Sequence, residues 1–140
     1  MYIDMDREYL SEREANCYSP LTLAFLGDSV YDTLVREHLL RQANMPVAKL
    51  HSAKVKLVCA EFQSDAYATI SEVLSERELS VLKRGRNATG NTVPKHAAAV
   101  QYRRATAVEA LFGYLFLTGQ QQRIRELFDM IMAQEDKDNG

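Results

Sequence analysis

Sustained alternation of apolar and polar residues is missing from all 140 positions, so no β-strand is expected. Cysteine is scarce. Cys17 and Cys59 are the only two, and they lack metal-ligand spacing. Such usage argues against a disulfide scaffold and for a reduced, cytoplasmic protein. No apolar run approaches the ~20 residues that a membrane span needs. The opening MYIDMDREYLSEREAN is too charged for a signal-peptide core and too acidic for a transit peptide. Internal repeats and low-complexity tracts are also lacking. With a net charge of −2 the chain is no polycation, so contact with nucleic acid would have to come from a local patch.

What is present is helical. The length suits one domain with a core that needs no staples. Residues 1–18 carry five acids and no apolar stripe, which suggests an extended arm or a short helix. Ser19-Pro20 opens a helix to about Arg41, with Ser as N-cap and Pro in the first turn, where its missing N–H costs nothing. Pro46 leads a second start, and 59–73 continues helically. Ser75 to Glu78 has capping-box spacing, and Gly85 reads as the stop of the helix that follows. Residues 85–96 (GRNATGNTVPKH) are loop by composition. A long helix covers roughly 97–118, and a last amphipathic one runs near 120–134. The expected organisation is an arm (1–18), an all-α domain (19–134) and a flexible tail (135–140). Two helices, 19–41 and 97–118, are apolar almost all round and therefore central.

Each central helix carries an acid on its apolar face. Asp28 shares its face with Leu21, Ala24, Phe25, Tyr31 and Val35; Glu109 shares its own with Tyr102, Ala105, Thr106, Phe112, Gly113 and Phe116. A carboxylate taken out of water costs several kcal/mol unless a cation, a raised pKa or a metal compensates. Gly27 and Gly113 lie beside the acids, and a glycine inside a helix costs ~0.5–1 kcal/mol relative to alanine, so it usually has a packing reason. Small residues at both places would let the helices cross closely and bring the acids face to face. Two facing carboxylates suit a divalent cation, with Mg²⁺ or Mn²⁺ the natural choice for oxygen ligands. An ordinary exposed or salt-bridged aspartate is the competing explanation.

Between Leu79 and Val108 there is no acid at all, in a chain with 19. Six of the 17 Lys and Arg residues fall there: Lys83, Arg84, Arg86, Lys95, Arg103 and Arg104. Asn87 and other amides and hydroxyls lie between them, a mixture suited to phosphate oxygens. Cations at a helix C-terminus would explain Lys83 and Arg84 alone, but not cations on both flanks of the loop. Arg103 and Arg104 stand little more than a turn from Glu109. A phosphate-binding surface leading into a carboxylate–metal site is what phosphodiester hydrolysis requires.

At this point the motifs resemble a family. LAFLGDSVYDTLVREHLL is similar to the signature helix of ribonuclease III, and AVEALFGYLFL to that family's second catalytic helix. The run LKRGRNA…PK…VQYRRATAVEALFGYLFL resembles the Mini-III branch, which consists of the catalytic domain alone. The resemblance implies a helical, homodimeric, Mg²⁺-dependent endoribonuclease cutting double-stranded RNA and trimming large-subunit (23S) ribosomal RNA precursors. It makes Asp28 and Glu109 the metal-binding catalytic acids. Two further acids of full-length family members fall at Ala24 and Thr106 here, a loss the Mini-III branch shares and one that puts a second metal in doubt. Asp32 is an outer-shell candidate rather than a ligand carried over. No double-stranded RNA-binding domain follows the last helix, so the grip on RNA is expected from Lys83, Arg84, Arg86, Asn87, Lys95, Arg103 and Arg104. The alternatives are a catalytically silent RNA-binding or ribosome-assembly protein on the same fold and a purely structural helical dimer.

Overall fold

The computed structural model describes residues 7–88 and 98–139, and among them every regular element is a helix. They are α1 (Glu12–Ala15), α2 (Pro20–Gln42), α3 (Val47–Val58), α4 (Ala60–Ser71), α5 (Glu76–Asn87), α6 (Ala98–Leu117) and α7 (Gln121–Asn139). The expected starts have their physical causes in place. Ser19 Oγ accepts from the Leu21 N–H ahead of Pro20, and Ser75 and Glu78 form a reciprocal capping box. The α3–α4 bend is a single extended residue, Cys59.

α6 is the centre of the molecule. α2, α4 and α5 pack around it, α7 lies against α4 and α6, and α3 bridges α2 and α4. From Ala105 to Phe116 every α6 residue except Glu109 is buried. Tyr31 of α2 stands edge-on to Phe112 and Phe128, with ring centroids 5.7 and 6.0 Å away. Its hydroxyl donates to the Leu57 carbonyl at 2.8 Å, so this core tyrosine has a satisfied polar end. Fully burying a leucine or phenylalanine contributes about 1.5–3 kcal/mol. Leu23, Leu34, Leu111, Phe112, Leu115, Ile124, Leu127 and Phe128 are all in that state.

α2 and α6 cross backbone to backbone. A methyl group on Gly27 would overlap the Glu109 carbonyl oxygen, and one on Gly113 would overlap that of Leu23. The two glycines therefore permit the close crossing that their positions predict.

Two expectations need correction. Gly85 does not stop its helix: α5 runs to Asn87, and a Cβ at Gly85 would come within 2.8 Å of Ala107 Cα. It is a close-packing residue between α5 and α6. α7 continues to Asn139, so the tail expected from 135 is helical there. The α2 helix, apolar on nearly every side, leaves Phe25 83% and Leu40 60% exposed in the single chain. The arm also holds a definite place. Ser11 and Glu14 cap α1, Glu12 accepts from Tyr114 Oη at 2.8 Å and pairs with Arg77, and the Leu10 N–H donates to the Leu117 carbonyl.

Candidate active site

The glycine crossing brings the positions of Asp28 and Glu109 together at the seam of α2 and α6. The two acids have unequal surroundings. Glu109 is half-buried at the crossing, and burial first, then the Asp28 charge beside it, push its carboxyl up to about 8. A Gln63 N–H works in the opposite direction, with Nε2 3.4 Å from Glu109 Oε2. Asp28 is exposed, contrary to its expected place on a buried face. The α2 face it occupies turns outward at Phe25, so Asp28 sits at the rim. It lines an open cleft of about 600 Å³ with Phe25, Leu26, Ser29, Asp32, Lys54 and Val58.

Asp32 is salt-bridged. Its carboxylate meets Arg36 Nε at 2.7 Å and Lys54 Nζ at 3.4 Å, on the wall of the cleft that Asp28 also lines. The two positions at which further acids are replaced are inert. Ala24 is buried, and the buried Thr106 turns its hydroxyl back onto the Tyr102 carbonyl at 3.0 Å. Among the described residues no group of three or more His, Cys, Asp or Glu side chains converges. The centre is thus a pair of carboxylates with Gln63 beside them. Gln63 is 2% exposed, and its Oε1 is buried with no hydrogen-bonding partner among the described residues.

The basic residues divide. Arg86 donates to the Tyr67 hydroxyl at 3.1 Å and to Asn87 Oδ1 at 3.2 Å, while the Arg104 guanidinium lies 5.2 Å from the Tyr67 ring centroid. The two flanks of the loop therefore meet at one aromatic side chain of α4. Lys83 and Asn87 are exposed nearby in sequence, and Arg103 is half-buried. Arg84 points away: it donates to Asn16 Oδ1 and the Tyr18 carbonyl, both at 3.3 Å, and ties the arm to α5. Lys95 lies outside the described residues.

Sequence reasoning passed over Gln63 and Tyr67. The available signal was Gln63 in the stripe Gln63, Ala66, Tyr67, Ile70, where helical spacing calls for apolar residues.

An acid pair on two crossing helices, flanked by an arginine cluster, is a nuclease-like arrangement, and the comparisons decide its kind. A family model described as ribonuclease III domain matches residues 21–120. The chain belongs to the ribonuclease III family. Ribonuclease III relatives agree along nearly its whole length. A Mini-ribonuclease 3 of Brevibacillus brevis is 43% identical over 129 residues, 92% of this chain and 96% of that one. A Mini-ribonuclease 3 of a Thermoanaerobacter species is 41% identical over 123 residues, 88% of this chain and 87% of that one. A crystal structure of a protein from Fusobacterium nucleatum superposes with a TM-score of 0.76 at 30% identity, covering 84% of this chain and 94% of the other. As a ribonuclease III enzyme the chain is a double-strand-specific endoribonuclease. Among the described residues no helix is long and apolar enough to cross a membrane.

Proposed function

We propose that the enzyme cuts its RNA duplex with Mg²⁺, or Mn²⁺ in its place, held by Asp28 and Glu109, and that it matures the ends of large-subunit ribosomal RNA precursors as a homodimer. The observation carrying this reading is the placement of Asp28 and Glu109 on facing turns of the α2–α6 crossing, where the Asp28 charge is among the causes that raise the half-buried Glu109 carboxyl. Oxygen donors alone suit a hard divalent ion. One or two carboxylates with several waters and substrate phosphates is the usual protein share for Mg²⁺. The unpartnered Gln63 Oε1 is a buried acceptor beside Glu109, placed to take a hydrogen bond from a water of the ion's shell. When bound, the ion supplies an activated water and a counter-charge for the departing oxygen.

The chain's own groups divide the remaining work. Asp28, on the open cleft, and Glu109, half-buried beside it, would hold the ion between them. Arg86 and Arg104 hold the RNA backbone, with Lys83, Asn87, Lys95 and Arg103 extending that surface. Arg84 is better explained as an anchor of the arm. Leu21 and Phe25 lie exposed one turn apart on α2. A second copy packed there would bury them and bring a second acid pair to the other RNA strand. Light scattering showing a stable monomer at micromolar concentration sinks the dimer. The ribosomal substrate rests on the resemblance to the Mini-III branch, and a reducing cytoplasm suits the two free, exposed thiols.

The test is to incubate the protein with a ribosomal RNA precursor stem, with and without Mg²⁺, and to map the ends. Paired cuts that need Mg²⁺ are expected. A protein that binds the stem tightly and cuts it with neither Mg²⁺ nor Mn²⁺ is the silent RNA-binding protein instead.

A further inference from the structure

The inner face of α4 touches both halves of the site. Gln63 Nε2 is shared between the Val58 carbonyl, 3.0 Å away, and Glu109 Oε2. Four residues on, Tyr67 accepts from Arg86 with its hydroxyl and underlies Arg104 with its ring. Four residues of helix advance about 6 Å and return to the same face. Both side chains are buried, so neither swings freely.

Each contact is unusual for its residue type. A buried amide costs free energy unless it is hydrogen-bonded, and a leucine at position 63 would continue the apolar stripe. Several arginines pair with acids, Arg36 with Asp32, Arg77 with Glu12, Arg123 with Glu78 and Arg125 with Glu37, while Arg84 is held by neutral oxygens of the arm. Among the described residues Arg86 and Arg104 have no acidic partner, and their positive charge is gathered on one aromatic side chain instead. A π face attracts a cation without neutralising it, so the pair stays able to bind an anion.

We infer that α4 is the spacer of the active site, with Gln63 positioning Glu109 at one end and Tyr67 positioning Arg86 and Arg104 on the RNA backbone at the other. The inference rests on the proposed metal-dependent cleavage. It makes Gln63 and Tyr67 positioning residues, neither of which touches the reacting atoms. One helical turn then sets the separation between the metal-binding acids and the backbone grip.

The consequence is a split that a merely structural role would not produce. In the full-length protein, Gln63→Met keeps the volume and removes the amide. It should raise the Mg²⁺ concentration at half-saturation, read by calorimetry, roughly 10–100-fold, as removal of outer-shell partners does. RNA affinity measured without divalent cations should not change. Tyr67→Leu should do the reverse, weakening metal-free RNA binding about two- to fivefold, the size of an exposed cation–π contact, while the Mg²⁺ midpoint stays put. Tyr67→Phe keeps the ring under Arg104 and removes only the Arg86 hydrogen bond, so it should fall between. If Tyr67→Leu fails to fold, Tyr67→Phe carries the test. RNA affinity equal to the parent in Tyr67→Phe, or a shifted Mg²⁺ midpoint, then overturns the assignment. In kinetics Gln63→Met should lower kcat at fixed Mg²⁺ and Tyr67→Leu should raise KM. Variants that shift both quantities together, or neither, in a parent that cuts duplex RNA overturn the spacer inference alone. A parent that binds Mg²⁺ and RNA with the expected split and leaves duplexes uncut overturns the nuclease reading and leaves the spacer standing. A parent that binds no Mg²⁺ overturns both.

Discussion

The acid end and the basic end of the site are built by different means. At the acid end two helix backbones touch, and the side chains follow from where the backbones lie. At the basic end the backbones settle little. Arg84 and Arg86 are two residues apart on α5, yet one ties down the arm and the other meets Tyr67. A backbone contact has one solution, whereas a long cationic side chain has many. The first kind of end should tolerate almost no change, and the second should degrade in graded steps.

The sharpest test of the acid end is Asp28→Asn. Cleavage should fall to background while RNA binding survives, because the amide keeps the size and removes the charge. A melt in EDTA should show the variant about as stable as the parent, since the exposed Asp28 leaves no cation unpaired when its charge is removed. If Asp28 served a buried salt bridge instead, its removal would cost about 3–5 kcal/mol, and a variant that melts much lower yet still cuts breaks the comparison. Next in size is Gly27→Ala. The added methyl has no flexible neighbour to displace, only backbone, the Glu109 carbonyl and the Gly113 nitrogen, so unfolding in urea should show a loss of more than about 3 kcal/mol.

At the basic end the effects are smaller and separable. Replacing Arg86 and Arg104 together should weaken RNA binding and flatten its salt dependence, by roughly 0.7–0.9 in log–log slope for each phosphate that is no longer held. Arg84→Ala should leave that slope alone and lower the melting temperature instead. Equal slopes for the two variants erase the division. The smallest effect concerns Glu78. Burial works to raise its pKa, but the Arg123 and Ser75 hydrogen bonds outweigh burial and hold it below the ordinary value. Because the folded-state value is depressed, this stability is present above the ordinary carboxylate range and lost as pH falls through the folded value. Arg123→Met should therefore cost about 2 kcal/mol near neutral pH, with the gap from the parent closing in acid. A pH-independent gap, read from melts across the range, contradicts the assignment.

The same division explains what the sequence could reveal. Gly27 and Gly113 were legible because a glycine is costly inside a helix, and a costly residue advertises a reason. Ser19-Pro20 and Ser75–Glu78 were legible because capping is local chemistry. Gly85 misled because a glycine near a helix end fits a stop as well as a close contact, and only α6 distinguishes them. Arg84 misled for a related reason: a cation that binds phosphate and one that ties down a carbonyl have the same neighbours in sequence. Asp28 was assigned to the correct helix face, but how far that face stays covered depends on where α2 runs past its neighbours. Gln63 and Tyr67 act through Glu109, Arg86 and Arg104, which are distant in sequence, and one chain alone does not display such pairings.

The arm bears on how the chain comes to fold during synthesis. Arg7 donates to the Phe116 carbonyl and covers its ring, across a separation of 109 residues. Asp28 likewise waits for Glu109. At about 5–20 residues per second a ribosome needs roughly 5–20 s to supply the second partner of the Arg7 contact. During that interval α2 exists without the helix it was shaped to cross. The arm is made well before the helix it docks on, and the two acids cannot meet until the segment carrying Glu109 has followed.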